Sequence, residues 1–163
     1  MHYQFELLKK TRKNILAVVE ELTLEQLNHI PDQFNNSIGW QIGHLVVTQQ
    51  LLHYRLSNLP TYIDEDMVNN FKKESTGKYI LKQNELETLI KLFTTLPQQL
   101  ETDYTAATVF KSYTTYKTSY TITLQTIEEA IAFNTTHEAM HLGIITAMKK
   151  QLIKKDQHII LNK

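Results

Sequence analysis

The sequence predicts an all-α protein: a four-helix bundle with a long crossover connection between helices 2 and 3 and a short extended segment before helix 4. Three observations lead there. Glycine (4) and proline (3) are scarce in 163 residues, which argues against a turn-dense β sandwich and for a few long helices. Apolar residues recur at spacings of three and four through several long windows. The stretch 57–79 has turn-like composition at both ends, and a connection of that length can run the whole height of a bundle. A chain of this size can bury one core, so a single domain over residues 1–163 is expected.

The first helix is predicted over residues 2–22, where Leu8, Ile15, Val19 and Leu22 share a face and Lys9, Lys10, Arg12 and Lys13 fall mostly elsewhere. The polar segment "TLEQLNHIPDQFNNS" follows as an irregular connection with room for one short helical turn. Ser37 is the expected N-cap of the second helix, "IGWQIGHLVVTQQLLHYRLSN", which ends near Pro60. Within the crossover, "DEDMVNNFKKE" is weakly helical. The third helix covers residues 81–96 with Leu86, Leu89, Ile90 and Phe93 in register, and Pro97 either kinks it or starts a new short helix. Residues 108–126 are rich in Thr and Tyr, and Tyr120, Ile122 and Leu124 alternate with Thr121 and Thr123, a strand-like period of two. Thr126 and Glu129 form a capping box, so the fourth long helix begins at Ile127 and ends near Ile153.

Lys plus Arg and Asp plus Glu balance at 17 each, so no global field favours nucleic acid or an anionic membrane. The cluster "KKQLIKK" at 149–155 reads as lysines complementing the negative pole of a helix end. With no cysteine there is no disulfide, thiolate ligand or cysteine nucleophile. The N-terminal segment lacks the apolar region of a signal peptide and nothing approaches a membrane span, so a cytoplasmic protein is expected.

The chemistry concentrates in "HEAMH", residues 137–141. A helix places His137 and His141 one turn apart on one face, where two imidazoles can share a metal. Ala130, Phe133, His137, Met140, His141, Ile144 and Met148 form a stripe that should turn both imidazoles inward, where they need hydrogen bonds or a metal. The same letters spell the zinc-peptidase signature, yet the rest of such a site is missing. Ile144 and Ala147 stand where one class needs glycine and histidine, no glutamate follows Glu138, and only Asp156 and His158 remain downstream as ligands. An upstream third ligand fits better. Trp40, His44, Val47, Leu51 and Tyr54 line one face of the second helix, so His44 points inward toward a facing helix. Gly39, Gly43 and Gly143 sit beside these histidines, where close helix approach or room for a ligand would justify helix-interior glycine. His53, about 180° round the helix from His44, is expected to face solvent, His29 to lie in a loop, and His2 and His158 to lie near the termini.

The blocks "SIGWQIGHL" and "HEAMHLGIITAMKK" resemble the DinB-like (DinB/YfiT) family of metal-binding four-helix bundles. The resemblance implies that His44, His137 and His141 are its three metal ligands. Where family members often carry arginine and glutamine around the final glycine, this chain has Leu142 and Ile144. Three neutral imidazoles suit a divalent ion, Zn, Ni, Fe, Co or Mn, and leave a coordination position open, as in catalytic sites. The resemblance further implies a small-molecule substrate handled by a thiol transferase, isomerase or hydrolase, with a low-molecular-weight thiol supplied as cosubstrate because the chain has none. Glu138 is the candidate catalytic proton acceptor, leaning either over the metal or out into water, while Trp40 and Tyr54 read as core before pocket wall. The alternative is a non-catalytic metal- or ligand-binding bundle with a vestigial site, and the expected assembly is a homodimer through helix faces.

Overall fold

Ser37 and Thr126 start two of the long helices where the sequence places them. A computed structural model describes residues 1–161, and side chains through residue 153. Helix α1 spans His2–Val19 and buries Leu8, Ile15 and Val19. It stops three residues short of the predicted Leu22, because the chain turns there to let Thr23 cap the short α2, Leu24–Asn28, through a reciprocal bond with Gln26. Ser37 Oγ accepts the Trp40 amide at 3.1 Å and opens α3, Ile38–His53, followed by a 3-10 turn at Arg55–Ser57. Asp64 accepts from the Met67 amide at 2.8 Å to start α4, Glu65–Phe71, the helical middle of the crossover.

Helix α5 runs from Gln83 to Thr105 with Pro97 inside it, so of the two expectations for Pro97 a new helix is not formed. A proline has no N–H for the carbonyl four residues back, here Phe93, and that carbonyl instead accepts from Arg12 Nη1 at 3.1 Å. The extended segment is a minimal antiparallel hairpin, β1 (Tyr116–Lys117) against β2 (Thr123–Leu124), with Tyr116 opposite Leu124. Helix α6 follows from Thr126, whose Oγ1 accepts the Glu129 amide at 3.2 Å, and covers Ile127–Leu161. It continues about two turns past the predicted end near Ile153. Lys149 and Lys150 therefore lie within the helix and not at its end. The side chains of Lys154, Lys155, Asp156 and His158 lie outside the described residues.

The protein is all-α apart from the two-residue strands. Helix α1 packs on α5 and α6, and so does α3, which is also covered by α2 and α4. Fourteen of the sixteen residues of α3 are buried for that reason, and an apolar helix enclosed on all sides has no solvent face. His53 is thus completely buried, correcting the expectation that it faces water. Among the described residues, no helix is long and apolar enough to cross a membrane.

Candidate metal site

Helix α3 supplies His44 and α6 supplies His137 and His141, and these two helices pack against each other. One ring nitrogen from each histidine lies within 4.8 Å of the other two, a set compatible with a divalent metal ion. His44 and His141 are buried, and His137 is half-buried. This is the trio singled out by sequence spacing.

The hydrogen bonds behind the rings decide which nitrogens face inward. His44 Nδ1 lies 2.9 Å from the Phe71 carbonyl, which can only accept, so Nδ1 carries the proton and Nε2 keeps its lone pair. His141 Nδ1 is hydrogen-bonded to Gln41 Oε1, and the Gln41 amide nitrogen donates to Asn36 Oδ1 at 2.6 Å, which fixes the amide's orientation. The lone pair of His141 therefore also sits on Nε2, 3.1 Å from His137 Nε2. That contact is a hydrogen bond only with the proton on His137 Nε2, and because His137 Nδ1 is buried without a hydrogen-bond partner, no group behind the ring holds it in that form. Two preset lone pairs and one adaptable ring converge, and this donor set fits a divalent cation with open coordination positions.

Burial keeps all three rings neutral, as ligands must be. It holds His44 below the usual histidine range, and pushes His137 down to about 4 and His141 to about 3, where neighbouring imidazoles add to the effect. Trp40 stacks on the His44 ring at 4.8 Å and 10°, with its indole N–H held by the Asn70 carbonyl at 3.1 Å and Ser75 Oγ at 3.0 Å. Trp40 therefore orients a candidate ligand. Tyr54 packs in a separate cluster with Phe5 and Leu100, as core.

A cleft of about 400 Å³ opens beside His44 and His137. Leu51, Leu52, Val68 and Phe133 make its apolar walls, Tyr116 and Thr118 of the hairpin border it, and Lys72 and Lys73 stand at the end of α4. Thr48 Oγ1, also in the lining, lies 3.3 Å from His44 Nε2.

Glu138 does not point at this cleft. It is completely buried, and both its oxygens accept from Arg12: Nε at 3.2 and 2.9 Å and Nη2 at 2.7 Å. Asn134 Nδ2 donates to the same carboxylate at 3.1 Å. The expected direction, over the metal or into water, is corrected by electrostatics: a carboxylate enclosed by protein needs a cation, and Arg12 is the one beside it. The glycines divide as well. A side chain at Gly43 would meet the Phe71 ring at 2.4 Å, and one at Gly39 would meet Leu81 at 2.7 Å, whereas nothing lies within 4 Å of a side chain at Gly143. Close packing explains the first two and leaves Gly143 unexplained.

Spacing alone did not single out Gln41, Thr48 or Arg12. Gln41 and Thr48 had a signal, being polar residues three before and four after His44 on the same helix. Arg12 had one too, interrupting the apolar series Leu8, Ile15 and Val19 at the position four after Leu8 and three before Ile15.

Residues 7–145 match the DinB superfamily. No curated protein matches the chain.

Proposed function

This chain belongs to the DinB superfamily, and from that premise we propose that it is a metal-dependent enzyme that holds one divalent ion on His44, His137 and His141 and acts on a small molecule in the adjoining cleft. The observation that carries this reading is the convergence of imidazole nitrogens whose partners, the Phe71 carbonyl and Gln41, turn the Nε2 lone pairs of His44 and His141 toward the shared centre. The ion would supply Lewis acidity toward a water or a thiol. The chain's own residues do the rest. Thr48 offers a hydroxyl beside the site, the leucine and phenylalanine walls limit water, and Lys72, Lys73 and Glu74 after α4 place charge of both signs at the rim. Thiol transfer and hydrolysis both suit such a cleft. A thiol would be a low-molecular-weight cosubstrate, because the chain has no cysteine. The four long helices α1, α3, α5 and α6 are read as a four-helix bundle around this site.

One observation favours a second reading, a non-catalytic metal- or ligand-binding protein. Leu142 and Ile144, which stand where family members often carry arginine and glutamine, pack partly buried against the core and present no polar group to a ligand.

Plasma mass spectrometry on untagged protein tests the metal site. About one divalent ion per chain is expected in the wild type and little in His44→Ala. A wild type that stays metal-free after reconstitution with zinc and nickel overturns the reading. Stoichiometric metal without turnover in thiol-transfer and amide- or ester-hydrolysis panels selects the second one.

A further inference from the structure

Arg12 is 2% exposed, near the middle of α1, and its guanidinium ends among three other helices. Nε and Nη2 hold Glu138 of α6, the residue after His137. Nη2 also donates to the Leu45 carbonyl of α3 at 3.3 Å, the residue after His44. Nη1 donates at 3.1 Å to the Phe93 carbonyl of α5, the carbonyl that Pro97 leaves without its helical partner, and the cation lies 4.6 Å from the centre of the Phe93 ring. One planar group thus grips α3 beside its candidate ligand and α6 beside one of its two, and braces both on α5.

We propose that Arg12 is a positioning residue for the three-histidine site, setting through Glu138 and the Leu45 carbonyl the registration between α3 and α6 that brings their imidazoles together. The proposal rests on the metal reading above. The fork of a guanidinium fixes directions as well as distances, so sliding or rotating either helix breaks a charge-assisted bond. Metal sites need their ligands held to about 0.5 Å, which a single shared anchor between two ligand-bearing helices provides. The same geometry gives Glu138 a new role. With both oxygens engaged and no exposure to water, it serves as the counter-charge that keeps Arg12 in place and not as a proton acceptor. The proline in α5 belongs to the device, because a complete helical ladder would compete for the Phe93 carbonyl.

The test compares wild type with Arg12→Lys, which keeps the charge and loses the fork, and with the paired change Arg12→Met plus Glu138→Leu, which removes both buried charges together and so spares the fold an unpaired ion. Ile15→Val is the control, loosening the same helix without touching the guanidinium. Two quantities are read: the imidazole nitrogen shifts of His44, His137 and His141 in metal-free protein by long-range proton–nitrogen spectra, and the cobalt(II) affinity by chelator competition. Both Arg12 variants are expected to move the imidazole signals and weaken cobalt binding about tenfold or more, by analogy with the loss of outer partners of metal ligands, while Ile15→Val leaves both near wild type. Variants that match the control in both readouts overturn the proposal. If the wild type binds no cobalt, the metal reading fails, and the imidazole shifts alone still decide whether Arg12 positions the rings.

Discussion

Gln41 illustrates how much of this site is set by residues that are not candidate ligands. Its side-chain oxygen accepts from His141 Nδ1 and its nitrogen is tied to Asn36, so the amide cannot turn over to offer its N–H instead. The ring of His141 is thereby fixed in both tautomer and direction. Replacing Gln41 with leucine keeps a side chain of similar bulk and removes the acceptor. The His141 Nδ1–H is then buried without a partner, and metal affinity should fall about 10- to 100-fold with the three histidines intact. Chelator competition with zinc measures it, and an affinity unchanged within a factor of two would show that His141 needs no outer partner. Glu138 carries the converse lesson. It sits inside a motif whose glutamate suggests catalysis, yet its surroundings are Arg12 and Asn134 and not the cleft.

Between elements, α3 and α4 meet at Gly43, where the Phe71 ring occupies the space a side chain would need. The Phe71 carbonyl is also the acceptor that orients His44, so the packing and the ligand geometry share one contact. Gly43→Ala should therefore cost about 1–3 kcal/mol of stability by overpacking, more than the alanine gains as a helix former. It should also weaken metal binding by moving α4 off His44, and urea melts with zinc titration of the folded variant check both. A variant as stable as wild type would mean that Phe71 moves aside freely. Two helix starts were legible in the sequence because caps are local: Ser37 and Thr126 each bond an amide within three residues, as Asp64 also does at the start of α4. The inward face of α6 was less legible. Apolar periodicity placed Met140 and Ile144 inside, but Met140 is 39% exposed, and the buried line runs through Asn134, Glu138, His141 and Ile145. Polar residues go inside there because distant partners meet them, Arg12 of α1 at Glu138 and Gln41 of α3 at His141, long-range pairings that no window of local sequence contains. The place of Pro97 inside α5 has a long-range partner too, since the Phe93 carbonyl that the proline leaves free accepts from Arg12.

Across the whole molecule, the buried histidines give folding a pH dependence of one sign. His53 is the clearest case, because it lies outside the candidate site, is fully enclosed, and neither ring nitrogen finds a well-formed hydrogen bond. Burial pushes it down to about 3, against a smaller opposite pull from the Ala130 backbone, while the nearby Arg12 charge lowers it further. In the unfolded chain the same ring takes up a proton near pH 6.5. Between those two values the unfolded state binds the extra proton, so stability is full above about pH 6.5 and falls as the pH drops toward 3. The loss from His53 alone between pH 7 and pH 5 is about 2 kcal/mol. Replacing His53 with leucine removes this proton uptake along with a buried, unsatisfied polar group, a change that is close to neutral or stabilising at pH 7. The wild type should therefore lose about 2 kcal/mol more than His53→Leu over that interval, as read from denaturant midpoints of metal-free protein at both pH values. His44, His137 and His141 contribute with the same sign in both proteins and cancel in the comparison. Parallel losses in the two proteins would show that water reaches His53 and protonates it in the folded state.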